Sequence, residues 1–201
     1  MKKKHTERPG LSNETQLLIK KSYATILRNA FKNDPLRRDV EPLIKFLDTC
    51  GFYKARCHSH HRYTCGAAQH QLEVLMLALD GKKPNDMAGW AISCLLHDLC
   101  DVYGYWGHGS NGPKSVYMIE QCAKFPLTDD ERLAIYYHMK CTQNTLGRFE
   151  RFMLLNTNPY LHRLKAGDCK STGRNKRGEL TEQQFCDWLL AFIAHQGWVL
   201  E

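Results

Sequence analysis

The chain has no hydrophobic run long enough to span a membrane, and none of its segments alternates apolar and polar residues as a half-buried strand does. The first ten residues, MKKKHTERPG, are basic, and no apolar segment of the kind found in a secretion signal follows them. These absences predict a cytoplasmic protein that makes no membrane contact. They also remove sheet-based folds from consideration.

Cysteine is not scarce, but its distribution excludes a disulfide scaffold. The nine cysteines are scattered over 201 residues, and a chain of this size buries roughly 70% of its unfolded surface without covalent links. We therefore expect reduced thiols and one domain. The net charge of +7 favours anionic partners, either a nucleotide or a nucleic acid. Oligomeric state is left open.

Apolar residues recur with the helical period of 3.6 in the first part of the chain. A first helix is predicted from Asn13 to Ala30, and a second follows the break at Pro35. The apolar stripe of the first helix comprises Leu17, Leu18, Tyr23, Ile26 and Leu27.

The same period continues in the middle and at the end of the chain. The stripe of the next helix comprises Leu72, Leu75, Met76 and Leu79, and the helix after it is predicted to be capped by Asn85. Two capping boxes open further helices, Thr128 with Glu131 and Thr181 with Gln184. The prediction is an all-α, single-domain helical bundle with N-terminal helices in 1–55, a core in 56–175 and a C-terminal helix in 176–201.

Histidine and aspartate occur in an order that can enclose a pair of metal ions at the centre of this bundle. The candidate ligands are His70, His97, Asp98, His108, His138 and Asp168. Imidazole and carboxylate together suit divalent transition metals. Asp98 has two oxygens and is the candidate bridge between the ions. His70 and Asp168 would complete the first ion's ligands, whereas His108 and His138 would hold the second.

Each of these residues alone has a simpler explanation, since a single histidine near an apolar helix face is more often hydrogen-bonded in the core or at the surface. The prediction depends on their joint order. In that order the chain resembles the HD-domain superfamily of metal-dependent phosphohydrolases, which are helical proteins named for a His-Asp pair. One broad group of this superfamily has the segment HH-x-Y-x-GG-LLEH. The segment HHRYTCGAAQH, which ends at His70, aligns with it without a gap, with Cys65, Ala67, Ala68 and Gln69 in place of the usual Gly, Leu, Leu and Glu.

Further segments extend the resemblance over about His60 to Thr172. They are LLHDLCDV, GHGSNGPKSVYMIE, LTDDERLAIYYHM and HRLKAGDCKST. The resemblance implies His70, His97, Asp98 and Asp168 as ligands of one ion, and His108 and His138 as the extra pair of two-metal members.

The function implied by the resemblance is hydrolysis of a phosphoester of a nucleotide or related small molecule by hydroxide generated at Mn, Fe, Ni, Mg or Zn. Relatives with six ligands and two irons instead oxidise substrates with O₂, so a di-iron oxygenase is an alternative. A non-catalytic nucleotide or nucleic-acid binder is another.

The chain departs from the superfamily pattern just after the His-Asp pair. Asp101 stands where many relatives carry a lysine. An aspartate there favours metal or proton transfer and disfavours nearby phosphate. The predicted catalytic residues are therefore Asp98, Asp101 as a proton carrier, and Lys114 as a phosphate contact. A nearby histidine is the alternative proton carrier, and the cations after Asp168 are the alternative phosphate contact.

Three neighbouring features have their own interpretations. Structural zinc is an alternative for the cluster that contains Cys57, His58, His60, His61 and Cys65, although His60 or His61 at the site entrance, with Tyr63 nearby, is favoured. The segment KSTGRNKRG after Asp168 is predicted to be a basic loop that could bind phosphate and has too few oxygen donors for calcium. The aromatic residues Tyr103, Tyr105 and Trp106 could stack on a base.

Overall fold

The computed structural model describes residues 10–57, 61–104, 111–139, 143–177 and 180–201, with backbone alone at 174–177. Within these ranges the secondary structure is helical throughout, which confirms the all-α prediction. The α-helices are α1 (Asn13–Phe31), α2 (Glu41–Thr49), α3 (Gly66–Leu79), α4 (Met87–Leu95), α5 (Asn111–Tyr117), α6 (Asp129–Tyr137), α7 (Arg148–Thr157), α8 (Leu161–Arg177) and α9 (Glu182–Gln196). Short 3₁₀ turns span Phe52–Lys54 and Leu99–Tyr103, and a π turn, Met118–Cys122, extends α5.

Helix α3 lies at the centre of the molecule. Every residue of this helix except Leu77 is buried, which is expected only for a helix surrounded by others. It packs most extensively against α8 and α4, and α4 in turn contacts α1 and α6. One hydrophobic core runs from Ile19 in α1 to Ile193 in α9.

Two glycines permit the close helix contacts that bring the segments with the candidate ligands together. A Cβ atom at Gly167 of α8 would lie 2.8 Å from the carbonyl oxygen of Val74 in α3. A Cβ atom at Gly112 of α5 would lie 2.3 Å from the carbonyl oxygen of Tyr136 in α6. Both distances are too short for a real side chain, so only glycine allows these backbones to approach so closely.

Several sequence predictions are confirmed at the helix ends. Thr128 accepts a hydrogen bond from the backbone of Glu131, whose carboxylate accepts one from the backbone of Thr128, and Thr181 and Gln184 repeat this arrangement. The first helix begins at Asn13 as predicted.

Among the described residues, no helix is both long enough and apolar enough to cross a membrane. The eight described cysteines form no disulfide.

Three local predictions are wrong. Leu17 is 55% exposed, because it lies about 200° around the helix from buried Ile19. The side chain that caps α4 belongs to Asp86 rather than Asn85. The predicted basic loop after Asp168 is helical as far as Arg177, since the cost of one mid-helix glycine, about 1 kcal/mol, is small beside the packing of a long helix.

A buried ion-pair cluster fixes the chain between α1 and α2 against α6. Arg38 lies 3.0 Å from Asp34 and 2.6 Å from Glu131, and its side chain is 6% exposed. The guanidinium also stacks over Phe31, 4.9 Å from the ring centroid. Glu131 belongs to the capping box of α6, so the cluster joins the α1–α2 connection to the first turn of that helix.

Replacing Arg38 by methionine should lower the free energy of unfolding by about 3–5 kcal/mol, because it leaves two buried carboxylates without their cation. Arg28→Met is the matched control, since Arg28 is 38% exposed and pairs with Glu41 at the surface, where such a pair contributes about 1 kcal/mol or less. Urea unfolding of both variants measures the difference. Equal losses would show that burial of the Arg38 cluster is unimportant.

Candidate metal centre

Three histidine rings from three separate segments meet in the interior. His70 lies on α3, His97 follows the end of α4, and His138 follows the last residue of α6. The ring centroids of His70 and His97 are 5.5 Å apart, and those of His97 and His138 are 4.9 Å apart. All three side chains are fully buried.

Two aspartates complete the cluster. Asp168 Oδ1 lies 3.2 Å from His70 Nε2. The two oxygens of Asp98 are divided between two histidines, with Oδ2 3.5 Å from His97 Nε2 and Oδ1 3.3 Å from His138 Nε2. The side chains of Asp98 and Asp168 are 14% and 20% exposed, so the histidines form the closed floor of the site and the carboxylates lie on its solvent side.

The ligand atoms fall into two groups that share His97. One group contains His70, His97 and Asp168, the other contains His97, Asp98 and His138, and the atoms within each group lie within 4.8 Å of one another. Five of the six candidate ligands therefore meet in one place. The sixth, His108, lies outside the described residues, as do Tyr105 and Trp106.

The far nitrogen of each ring is held by a hydrogen bond. His97 Nδ1 lies 2.9 Å from the carbonyl oxygen of Cys94, and His138 Nδ1 lies 2.7 Å from that of Ile135. A carbonyl can only accept, so each Nδ1 carries a proton, and in the neutral form of the ring each Nε2 presents a lone pair to the site. Metal-binding histidines are oriented in this way by their outer partners.

A divalent ion fits this arrangement. The Nε2 atoms of His97 and His138 are buried and make no hydrogen bond of good geometry with the described residues. Such atoms are costly inside a protein unless a partner occupies the space between them. Buried imidazole lone pairs beside two carboxylates are the donor set that divalent transition metals prefer. These buried His and Asp groups can hold a metal ion.

The charges of the cluster shift the pKa values of its members. Burial opposes the charged form of His70 and of His138, but Asp168 and Asp98 outweigh this effect and raise the pKa of each histidine. Burial lowers the pKa of His97 to about 4. Burial opposes ionisation of Asp168, yet its contact with His70 lowers the pKa of this carboxyl to about 2. The neighbouring histidines likewise hold the pKa of Asp98 below its ordinary value.

The charges of the two other predicted catalytic residues act on groups at or next to this cluster. Burial and the charge of Asp98 raise the pKa of Asp101 to about 8. Lys114 is half-buried on α5. Its charge acts on the thiol of Cys100, as do those of Asp98 and Asp101, although burial is the main cause that raises the pKa of this thiol to about 12. Cys100 therefore lies within reach of all three charges.

Four polar residues that the sequence did not indicate contact the ligand residues, three of them directly and one through another residue. Asn111 donates to Asp98 Oδ1 over 3.2 Å, and the Nζ atom of Lys165 lies 3.4 Å from the carbonyl oxygen of His138. Ser171 contacts His70, and Glu73 contacts Ser171. For Glu73 and Ser171, helical spacing was the available signal. Glu73 follows His70 by three residues, as Ser171 follows Asp168, and residues three apart lie on the same face of a helix.

The structure bears on His61 and Tyr63 in the cysteine- and histidine-containing segment before α3. His61 is buried and its Nε2 lies 3.2 Å from Glu73, so it does not line an entrance. Tyr63 packs beside it, with ring centroids 5.8 Å apart. The thiol of Cys57 contacts the carbonyl oxygen of Gly66. His58 and His60 lie outside the described residues, and structural zinc stays an alternative prediction for this segment.

Comparison of the whole chain with protein-family models, curated proteins and solved structures finds no significant match.

Metal affinity should fall on acidification, because a bound ion must displace protons from His70 and His138. Their pKa values are raised above the ordinary 6.5, so these protons begin to compete with the ion above that pH and compete more as the pH falls. Each displaced proton weakens affinity about tenfold per pH unit below the raised pKa. Calorimetric titration with Zn²⁺ from pH 8.5 to 6 measures the change, and buffers of different ionisation heat count the protons released. Constant affinity without proton release would contradict this prediction.

Proposed function

We propose that the protein is a metal-dependent phosphohydrolase that cleaves a phosphoester of a nucleotide or a related small molecule. The observation that carries the proposal is the asymmetry of the centre. The histidines are fully buried, whereas Asp98 and Asp168 are partly exposed. A structural metal site is closed by protein ligands on all sides, whereas a catalytic one leaves a position open to water and substrate.

The donor set supports a pair of ions. His70, His97 and Asp168 would hold the first, and Asp98 with His138 would hold the second. The two groups share His97, but its single Nε2 lone pair can bind only one ion. Asp98, whose two oxygens are divided between His97 and His138, is therefore the proposed shared ligand, and His108 is a further proposed ligand. Divalent ions bound there supply Lewis acidity toward a phosphoryl oxygen and lower the pKa of water toward neutrality. Mn, Fe, Ni, Mg and Zn are the candidate metals.

Asp101 is the proposed proton carrier. Its carboxyl has a pKa raised to about 8 by burial and by Asp98, so it can hold a proton at neutral pH and release one when a cation approaches. Asn111 holds Asp98 in place through its amide. Asp98 would thus be a fixed ligand, and Asp101 would carry an exchangeable proton close to it.

Two lysines are proposed to contact a phosphate group. Lys165 is one helical turn before Asp168 on α8 and reaches the carbonyl oxygen of His138. Lys114 on α5 is the second candidate. Tyr103 is the last residue of the 3₁₀ turn that contains Asp101. Its side chain is 61% exposed and could stack on a base. This combination favours a nucleotide over a sugar phosphate.

Asp98→Asn should remove both bound metal and turnover. Loss of the shared carboxylate removes several kcal/mol of transition-state stabilisation, which corresponds to a rate at least about 10³-fold lower. The assay measures metal content and hydrolysis of a panel of nucleoside mono-, di-, tri- and cyclic phosphates with Mn²⁺, Mg²⁺, Ni²⁺ or Fe²⁺. Asp187→Asn is the matched control, because Asp187 is exposed on α9.

Hydrolysis that persists in the Asp98→Asn variant would remove the proposal. Binding of a nucleotide that is unaffected by metal removal would favour a non-catalytic binder. The imidazole-rich donor set also suits iron, which keeps a di-iron oxygenase as the second candidate. Oxygen consumption and an iron spectrum that differs between aerobic and anaerobic preparations would favour that reaction.

Asp101→Asn should lower turnover about 10²- to 10⁴-fold while leaving metal content unchanged, because proton transfer of this kind contributes a factor of that size. The measurement is turnover number at saturating substrate beside metal content of the same sample. Loss of metal from this variant would instead make Asp101 a ligand, and full turnover would remove it from the mechanism.

A further inference from the structure

A second buried carboxylate lies behind the metal centre. Glu73 is on α3, one turn after His70, and its side chain is fully buried. Its Oε2 accepts a hydrogen bond from Ser171 over 2.7 Å, and its Oε1 accepts one from Gln69 over 2.9 Å. The same Oε1 lies 3.2 Å from His61 Nε2. A carboxylate so deep in an apolar core is stable only with such partners.

Glu73 is linked to His70 through Ser171. The hydroxyl oxygen of Ser171 lies 3.0 Å from His70 Nδ1. His70 differs in this respect from His97 and His138, whose Nδ1 atoms face backbone carbonyls. A carbonyl can only accept a hydrogen bond, but a hydroxyl can donate or accept. Ser171 alone therefore does not decide which nitrogen of His70 carries the proton.

The carboxylate of Glu73 removes this ambiguity. A hydroxyl has one proton, and an ionised carboxylate can only accept. Since Ser171 donates to Glu73, it must accept from His70, which places the proton of His70 on Nδ1. The Nε2 lone pair then faces the space shared with Asp168 and His97. If Ser171 instead donated to His70 Nδ1, Nε2 would carry the proton and could not bind an ion.

We propose that Glu73 is a positioning residue that selects the metal-binding tautomer of His70 by fixing the direction of the Ser171 hydroxyl. The relay deepens the proposed function, because it rests on His70 being a metal ligand. It assigns a role to the buried segment before α3 as well. Tyr63 donates to the amide oxygen of Gln69 and so turns the amide nitrogen of Gln69 toward Glu73.

The test is Glu73→Gln, which changes shape little but replaces one acceptor oxygen by a donor. The amide oxygen is expected to stay with Gln69, so the amide nitrogen faces Ser171. Ser171 then donates to His70 Nδ1, and the ring changes to the Nε2–H form. Nitrogen-15 spectra of the metal-free protein, taken at pH values high enough for the histidine shifts to be constant, report the tautomer. A His70→Gln variant assigns the signals.

The wild-type spectrum must show His70 as the Nδ1–H form, and Glu73→Gln must show the Nε2–H form. Affinity for Co²⁺ at the His70 group should fall about 10- to 100-fold, the usual effect of losing an outer partner of a metal-bound histidine. Glu14→Gln is the control, because Glu14 is exposed on α1. A wild-type Nε2–H form would overturn the proposal even if the variant did not fold.

Ser171→Ala separates this relay from general damage to the core. If Glu73 acts through Ser171, adding Glu73→Gln to Ser171→Ala should change neither the tautomer nor the Co²⁺ affinity further. An undiminished loss of affinity in the double variant would show that Glu73 acts by packing, and would refute the relay. None of these measurements uses a phosphoester, so they stand apart from the test of hydrolysis.

Discussion

The close contact between α3 and α8 is the constraint on which the candidate centre depends. Asp168 and Ser171 are on α8, His70 and Glu73 are on α3, and each pair meets across the interface. The contact exists because Gly167 has no Cβ to strike the backbone at Val74. A wider spacing would separate the carboxylate of Asp168 from His70 and would leave Glu73 without the hydroxyl that it accepts from.

The electrostatics of the interior follow from this geometry. Asp98, Asp168 and Glu73 are three carboxylates in one part of the interior, and protonation of His70 and His138 supplies compensating positive charge. The cost of enclosing several anions is large unless cations or hydrogen-bond donors surround them. His70 and His138 have raised pKa values for this reason. A divalent ion would provide the same compensation while releasing the protons.

Much of the fold was predictable because helices carry a local signal. Residues close in sequence form the capping boxes at Thr128 and Thr181 and the apolar stripe of α3. The close packing at Gly167 was not predictable, because it depends on which backbone faces that glycine. The basic segment after Asp168 was misjudged for a related reason: tertiary packing extended a helix through Gly173.

In the candidate site, the ligands were predictable from the sequence, whereas their hydrogen-bond partners were not. Ligand types and order indicated His70, His97, Asp98, His138 and Asp168, and the structure brings these five together. The partners Ser171, Asn111 and Lys165 were missed, because a serine, an asparagine or a lysine is common in any sequence and acquires meaning only from its neighbours in space. His60 or His61 was expected at an entrance, and His61 instead lies in the core, where it contacts Glu73.

The ligands come from four segments spread along the chain, and this has a consequence for folding. An ion held by both His70 and Asp168 would act as a cross-link that closes a loop of roughly one hundred residues, and such closures restrict the unfolded chain most when the loop is long. An ion at about a thousand times its dissociation constant would add about 4 kcal/mol to stability. Chelation would then loosen the docking of α8, and the amides of α8 would exchange with solvent sooner than in the metal-bound protein.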